Sequence, residues 1–108
     1  SYAQAMGLLS TSFVNPHGLS APHHQSTAED MAYLSQRAMQ DQLFAEVVRT
    51  FSVTRSIFNS REASTREVSW TNTNELLKEG YCGIKTGTTP TTGFCLASEF
   101  KVDLRTKE

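Results

Sequence analysis

The residues with the clearest chemical potential form the triplet Lys85-Thr86-Gly87, which lies between two short apolar runs. A lysine in such a strand-like segment presents a fixed cation to a substrate carboxylate, and the Thr86 hydroxyl adds a hydrogen bond. Gly87 lets the backbone of a ligand lie against the strand, and the backbone N–H of Thr88 faces that ligand as one oxyanion donor. On spacing alone, a solvated hairpin lysine is the competing interpretation, because short triplets often occur by chance.

A β-hairpin is expected to carry this triplet. The apolar runs 84–86 and 94–98 flank residues 87–93, a polar stretch with glycine at both ends. Such a pattern is typical of two antiparallel strands joined by a turn. Just upstream, residues 75–78 are long enough for one helical turn, which Gly80 would end.

The two cysteines, Cys82 and Cys95, lie on the two arms of this predicted hairpin. A turn centred between residues 89 and 90 would place Cys82 opposite Ala97 and diagonal to Cys95, at roughly 7–8 Å. A disulfide across that distance would be strained. Their spacing matches neither a metal site nor a redox motif, so both are expected to be small core residues.

Two helices, or one bent helix, are predicted between residues 28 and 49. Ser26 or Thr27 can cap the start near Ala28, since each is followed by an acid three residues later. Residues 40–41 are a plausible break. Apolar side chains recur at helical spacing and are expected to pack against the body of the domain; they are Met31, Leu34, Ala38, Leu43, Phe44, Val47 and Val48.

The remaining segments indicate loops and short strands. Residues 13–27 are rich in Pro, Gly, Asn and His and are interpreted as an ordered loop. His17 is expected to stabilise a turn there by bonding to the backbone, with Gly18 at positive φ. A metal site is not expected, because adjacent loop histidines chelate poorly. Residues 50–70 suggest short edge strands around a polar turn at 59–66.

Composition excludes some classes of function. With 108 residues the chain has the size of one small domain, and a formal net charge of −1 offers no basic patch for nucleic acid. Its apolar fraction of 38% and charged fraction of 19% suit a loop-rich chain or a piece of a larger one. No apolar run approaches the ~20 residues that span a bilayer, and the N-terminal residues lack the pattern of a signal peptide. No cofactor is indicated.

Several further motifs stand in a fixed order around the triplet. They are Thr11 to Leu19 (TSFVNPHGL), His24, Ser26 to Ala28, Asp30 to Ala32, Asn72-Thr73-Asn74 with Leu76-Leu77, Gly83 to Gly87 (GIKTG) and Gly93 to Ala97 (GFCLA). In order and spacing they resemble the D-alanyl-D-alanine carboxypeptidases, the low-molecular-mass penicillin-binding proteins of peptidase family S11. The resemblance covers residues 2–98 and is weakest over 45–70.

The resemblance implies an α+β fold related to the class A β-lactamases, with helices packed on an antiparallel sheet, and a serine acyl-enzyme mechanism. Lys85 corresponds to the cleft lysine that holds the terminal carboxylate and assists proton transfer. Thr86 assists with the carboxylate, and Thr88 supplies an oxyanion N–H. The implied substrates are peptidoglycan stem peptides ending in D-Ala-D-Ala, β-lactams are implied ligands, and the implied location is outside the cytoplasmic membrane, with membrane attachment of the parent left open.

Two family motifs, S-x-x-K and S-x-N, lack a match in the expected place. No S-x-N occurs. The literal S-x-x-K, at residues 98–101, follows the triplet in a segment that is predicted to be a strand. On a strand, positions i and i+3 point to opposite faces, so this match is attributed to chance. The chain is therefore expected to be an internal fragment, 1–108, of a catalytic domain. It would lack the segments with those two motifs and the final strand and helix, be inactive alone, and associate through exposed apolar surface.

Two other interpretations stay open. One is a non-catalytic homologue that keeps the fold as a binding or structural subunit, although the intact residues Lys85 to Thr88 argue against decay of the site. The other is a β-lactamase, which shares the Lys-Thr-Gly triplet but explains residues 13–19 and 72–74 less well. The upstream coding sequence separates the enzyme from the binder, because only the enzyme needs an S-x-x-K and an S-x-N in order.

Overall fold

A computed structural model describes residues 1–103 of the chain. Within this range the helices and strands follow the order α1, α2, α3, β1, β2, η1, β3 and β4, where η1 is a short 3₁₀ helix. Their bounds are Tyr2–Ala5, Ala28–Ala38, Gln42–Arg49, Ser52–Asn59, Ser64–Thr71, Glu75–Glu79, Ile84–Thr89 and Gly93–Ser98. The strands form two antiparallel pairs, β1 with β2 and β3 with β4.

The two predicted helices are confirmed, including the break between them. Thr27 caps α2 by accepting a hydrogen bond of 3.1 Å from the backbone N–H of Asp30. This identifies Thr27 as the cap rather than Ser26. Asp41 caps α3 by accepting from the backbone N–H of Phe44 at 2.8 Å. A new N-cap directly after residue 40 explains why a second helix begins there instead of α2 continuing.

Asp30 also holds the loop that precedes α2. Its Oδ2 accepts from the Thr11 hydroxyl at 2.6 Å and from the backbone N–H of Ser10 at 3.0 Å. Ser12 pairs with Gln25 in an isolated antiparallel bridge across the same loop. The ordered loop expected at 13–27 is thus closed at its base by backbone pairing and tied to the helix by a buried hydroxyl, because Thr11 is only 8% exposed.

Helix α1 has no counterpart among the sequence-based predictions. It is a single turn that begins with a capping box, in which Ser1 and Gln4 each bond the other's backbone. Leu8, which follows it, is the most completely buried large side chain described, at 1% exposed. The start of the chain is thereby fixed to the body of the structure.

The strands of the first hairpin are longer than expected. Ser52 pairs with Thr71 and Asn59 with Ser64, so each strand has eight residues and the turn is confined to 60–63. The prediction of short strands around a turn at 59–66 was correct in type and wrong in length. The strand ladder continues through polar residues that the sequence assigned to the turn, since Asn59 pairs with Ser64 and Ile57 with Arg66.

The second hairpin is confirmed, but its predicted register is wrong. Thr89 pairs with Gly93 and Lys85 with Ala97, so the turn centres on residue 91 rather than between 89 and 90. Gly93 adopts a φ of +68° at the start of β4, a conformation that favours glycine. Cys82 lies before β3, where its backbone N–H bonds the carbonyl of Glu99 at 2.8 Å.

The core of the described chain is small. Ala3, Leu8 and Ala45 are its buried hydrophobic residues, and the Cα radius of gyration is 17.6 Å, whereas a compact domain of this length has one of about 13 Å. The accessible surface is 9028 Å², against roughly 6000 Å² for a compact protein of this mass. The chain therefore leaves much apolar surface uncovered.

The expected packing of α3 needs correction. Leu43 and Val47 are 70% and 62% exposed, and Phe44 is also exposed. Helix α3 instead contacts β3 where Ala45 is buried and Val48, the one predicted apolar residue of this helix that packs, is half-buried. The periodicity located the apolar face correctly, but no element in the described chain covers it. On α2, Met31 and Leu34 are half-buried, and α2 contacts β4.

The expectation that both cysteines are core residues is wrong. Cys82 is half-buried and Cys95 is exposed, and both are free thiols. Among residues 1–103, no helix combines the length and hydrophobicity that crossing a membrane requires. Helices that contact an antiparallel sheet give the α+β class that the sequence predicted.

Candidate functional site

Strand β3 presents the Lys-Thr-Gly triplet at its centre. Lys85 lies opposite Ala97 and is exposed, while Thr86 lies opposite Leu96 and is half-buried. Side chains alternate along a strand, so Thr86 and Thr88 share one face and Lys85 points to the other. The four predicted site residues are thus consecutive on one strand, but their side chains diverge.

A cavity of about 470 Å³ lies beside this strand. Its lining comes from three segments: Thr73 to Leu76, Thr86 to Thr88, and Phe94 to Leu96. Phe94, which pairs with Thr88 across the hairpin, is 96% exposed and offers a large apolar surface at one wall. Three of the four predicted residues therefore meet at the cavity, and Lys85 does not line it.

Gly87 keeps the middle of the strand open. A Cβ atom at this position would have no heavy atom within 4 Å. The residue opposite it, Cys95, lines the same cavity. A strand surface without a side chain leaves the backbone of β3 accessible to an extended ligand.

The hydroxyl of Thr86 has a fixed partner. Its Oγ1 lies 2.7 Å from Oγ1 of Thr73, a contact in which either oxygen can donate. Thr73 is exposed and also lines the cavity. Two hydroxyl groups from separate segments therefore stand together at the wall where the carboxylate of a substrate is expected.

The two asparagines beside Thr73 anchor it. The Asn72 amide donates to the carbonyls of Val48 and Thr50, at 3.4 and 3.1 Å, and its Oδ1 accepts from the backbone N–H of Asn74 at 2.9 Å. Asn74 is 4% exposed, and its amide donates to the carbonyl of Gly83 at 2.8 Å. Both asparagines thus satisfy backbone groups, and they hold the backbone of the residue between them in place.

Lys85 carries a positive charge and has no carboxylate partner among the described residues. Its ammonium donates to the carbonyl of the next residue, Thr86, and within residues 1–103 the structure holds no ion pair between Lys85 and an acid. A neutral carbonyl leaves the charge of the ammonium uncompensated. An anionic ligand on that side of the strand would find an available cation.

The far end of the hairpin is tied to the histidine-rich loop. Ser20 lies 3.2 Å from Thr89 and 2.8 Å from Thr91, measured between hydroxyl oxygens. Thr89 in turn lies 2.7 Å from the Thr92 hydroxyl. This hydroxyl cluster positions the end of β3, and sequence reasoning missed it because it joins segments about seventy residues apart.

Two histidines of the loop bond to the backbone, and the role predicted for His17 is confirmed. His17 accepts from the backbone N–H of Leu19 at 3.2 Å, and Gly18 has a φ of +80°. His24 accepts from the backbone N–H of Val14 at 3.1 Å and its ring contacts Phe13. Across residues 1–103 no group of three or more His, Cys, Asp or Glu side chains is arranged to hold a metal ion.

Ser98 has a structural partner of its own. It is the last residue of β4, as the strand interpretation required, and its hydroxyl donates to the carbonyl of Gly83 at 2.8 Å. No hydrogen bond in the described part of the chain joins a serine hydroxyl to a lysine ammonium. The described residues therefore contain no serine–lysine pair of the kind that acyl transfer needs.

Comparison with known proteins places this geometry in a family. The family model of the D-alanyl-D-alanine carboxypeptidases, Peptidase_S11, matches residues 1–105. The chain belongs to this family. The resemblance read from the motifs is thereby confirmed, together with the fold that it implied.

Individual members of the D-alanyl-D-alanine carboxypeptidase family show the same relationship. The chain is 35% identical over 101 residues to the D-alanyl-D-alanine carboxypeptidase DacF of Bacillus subtilis, and 35% identical over 108 residues to DacC of Escherichia coli. These matches cover 92% and 96% of this chain, but only 25% of each relative. The chain thus spans about a quarter of the length of these relatives.

A solved structure agrees in fold. The crystal structure of the Streptomyces K15 DD-transpeptidase superimposes with a TM-score of 0.85 at 31% sequence identity. The match covers 94% of this chain and 39% of that one. The helices and hairpins described above therefore correspond to part of a DD-peptidase fold.

Proposed function

We propose that the chain is an internal part of a serine-type D-Ala-D-Ala carboxypeptidase, and that the complete protein removes the terminal D-alanine from peptidoglycan stem peptides. The observation that carries this proposal is the Lys-Thr-Gly strand beside the cavity, with the Lys85 ammonium, the Thr86 hydroxyl and the open backbone at Gly87 within three residues. Family membership supplies the reaction class, and the site supplies groups that suit a peptide ending in a carboxylate.

Each residue of the strand has a proposed role. Thr86 donates a hydrogen bond to the terminal carboxylate from the cavity side of β3. Lys85 leaves β3 on the other face and does not line the cavity, so we propose that its long, exposed side chain extends past the edge of the strand to bind that carboxylate by charge and assist proton transfer. The backbone N–H of Thr88 stabilises the oxyanion of the tetrahedral intermediate, together with the N–H of the nucleophilic serine. Gly87 lets the peptide lie along β3, where a Cβ would otherwise stand between the two backbones.

The reaction divides into two acyl transfers. A serine hydroxyl attacks the carbonyl of the penultimate D-alanine, the C–N bond breaks, and the terminal D-alanine leaves with a proton on its nitrogen. Water then attacks the ester and regenerates the serine. Both steps pass through an oxyanion, so Thr88 serves in each of them.

The serine and its base belong to the complete protein in this proposal. Among the described residues, the Ser98 hydroxyl donates to a backbone carbonyl and no serine is paired with a lysine. This supports the proposal that the chain contributes one wall of the active site. Penicillins would acylate the serine of the complete protein. Its place of action would be outside the cytoplasmic membrane, where peptidoglycan lies, and the proposed mechanism calls for no cofactor.

A penicillin-labelling experiment tests this proposal. The complete protein should release D-alanine from a D-Ala-D-Ala peptide and form a covalent adduct with a fluorescent penicillin, whereas the 108-residue chain should form none. An adduct on the short chain that is lost in Ser98→Ala would overturn the rejection of Ser98. A complete protein that neither releases D-alanine nor is labelled would support the non-catalytic homologue instead.

A further inference from the structure

We propose that Thr73 is a positioning residue for substrate binding: its hydroxyl donates to Thr86, which directs the single hydroxyl hydrogen of Thr86 toward the substrate carboxylate. This inference rests on the proposed function, because it concerns the same carboxylate site. Thr73 lies in the Asn72-Thr73-Asn74 motif, outside the Lys-Thr-Gly triplet and the serine motifs, and the family match assigns it no role.

The first argument is hydrogen-bond accounting. A threonine hydroxyl has one hydrogen to donate and two lone pairs to accept with. The two Oγ1 atoms of Thr73 and Thr86 lie 2.7 Å apart, which is a normal O–H···O distance. If Thr86 donated to Thr73, it would have no hydrogen left for a carboxylate, which only accepts. Binding of a carboxylate by Thr86 therefore requires Thr73 to be the donor.

The second argument is that the backbone around Thr73 is anchored on both sides. Its neighbours Asn72 and Asn74 bond backbone carbonyls on α3, on the following loop and at the start of β3. These anchors fix the backbone on both sides of Thr73, while its own side chain stays exposed at the cavity. A hydroxyl on a rigid support directs its partner at a small cost in conformational entropy.

The third argument is cooperativity. A hydroxyl that accepts one hydrogen bond becomes a better donor in the next, because the chain of dipoles is polarised in one direction. The hydrogen bonds from Thr73 to Thr86 and from Thr86 to the carboxylate form such a series, which ends on an anion. Thr73 thereby strengthens a contact that it does not make itself.

The experiment measures how well the complete enzyme distinguishes a carboxylate from an amide. Two peptides are compared, one ending in D-Ala-D-Ala with a free carboxylate and one with the terminal carboxylate amidated. We expect Thr73→Val to lower kcat/KM for the carboxylate peptide by about fivefold, the size of one hydrogen bond, and to change the amide peptide by less than about twofold. Thr73→Ser keeps the hydroxyl and should restore the preference.

A matched control removes a similar hydroxyl pair elsewhere. Thr54 and Ser69 lie on the first hairpin with their hydroxyl oxygens 2.7 Å apart, so Thr54→Val deletes a contact of the same length away from the cavity. Its kcat/KM should equal that of the wild type for both peptides. A second comparison combines Thr73→Val with Thr86→Val, and the double variant should be no worse than Thr86→Val alone.

Each alternative result has a distinct meaning. Equal losses on both peptides, or a loss that Thr73→Ser does not restore, would show a merely structural residue and overturn the inference. Additive losses in the double variant would show that Thr73 acts on the substrate independently of Thr86, and would also overturn it. Normal activity in Thr73→Val with reduced activity in Thr86→Val would refute the inference alone. A wild-type protein that releases no D-alanine would refute the proposed function, and the inference with it.

Discussion

Gly83 should be the glycine of this chain least tolerant of a side chain. It is buried at the entrance to β3 and has a φ of +144°, a conformation that L-residues rarely adopt. A Cβ at this position would lie 2.8 Å from Cγ2 and 3.3 Å from Cβ of Val48 on α3. Gly83→Ala therefore combines backbone strain with a steric clash, just before the Lys-Thr-Gly triplet.

The structure allows the cost to be estimated. A residue with a side chain held at such a φ costs about 1–3 kcal/mol, and inserting a methyl group into occupied space costs about 1–3 kcal/mol more. Because Val48 is only half-buried, part of the clash can be relieved by a shift of its side chain. We therefore expect the free energy of unfolding to fall by about 2–5 kcal/mol.

Urea unfolding of the complete protein measures this loss, and Gly87→Ala is the matched control. Gly87 lies on the same strand, adopts no positive φ, and has no atom within 4 Å of the place that an alanine methyl group would occupy. Its replacement should leave stability unchanged or raise it by up to about 1 kcal/mol, because alanine restricts the unfolded chain. Val48→Ala should recover part of the loss in Gly83→Ala, since it removes the closer of the two clashing atoms. Equal losses in the two glycine variants would refute the reasoning.

Three further predictions follow from the site and the surface. In the complete protein, Lys85→Ala should lower kcat/KM for a D-Ala-D-Ala peptide at least about tenfold by removing a charge-assisted hydrogen bond, and unchanged turnover with an intact fold would exclude the carboxylate role. Asp30→Ala should lower the free energy of unfolding in urea by about 1.5–3 kcal/mol, because Asp30 accepts two hydrogen bonds from the segment before α2. The control is Glu29→Ala, at the neighbouring exposed position, which should change stability by less than about 0.5 kcal/mol. The 108-residue chain should associate in sedimentation experiments as its concentration rises, because Leu43 and Val47 on α3 are exposed. Replacing both with serine should reduce that association. A chain that stays monomeric at all concentrations would contradict the prediction that this apolar face of α3 associates.

Local signals made α2, α3 and η1 predictable, whereas α1 was not foreseen. The caps, the break between α2 and α3, and the glycine that ends η1 all depend on residues within four positions of each other, and all three agree with the structure. The register of the second hairpin depends on a choice between neighbouring turn positions. Thr89, Pro90 and Gly93 are compatible with more than one turn, and only the positive φ of Gly93 in the folded chain decides among them.

Burial was less predictable than secondary structure. The apolar spacing of α3 identifies a hydrophobic face, but whether that face is covered depends on other elements, which periodicity does not reveal. The same limit applies to the site. Lys85 to Thr88 were found from their types and order, whereas Thr73 and Ser20 contribute through contacts with β3 that span 13 and 69 positions of sequence. A single sequence gives no measure of such distances.

The way β3 is held explains why so short a triplet can serve as the wall of a site. At its start, the Gly83 carbonyl accepts from both Asn74 and Ser98, so the preceding segment and the end of β4 meet there. At its end, Thr89 is tied to Ser20. The strand is thus fixed at both ends by side chains outside the triplet, and the residues between need only present their groups. In the proposed site, the scaffold positions the strand and the triplet would supply the chemistry. A triplet of this kind alone is weak evidence for a family, whereas the ordered motifs around it are strong evidence.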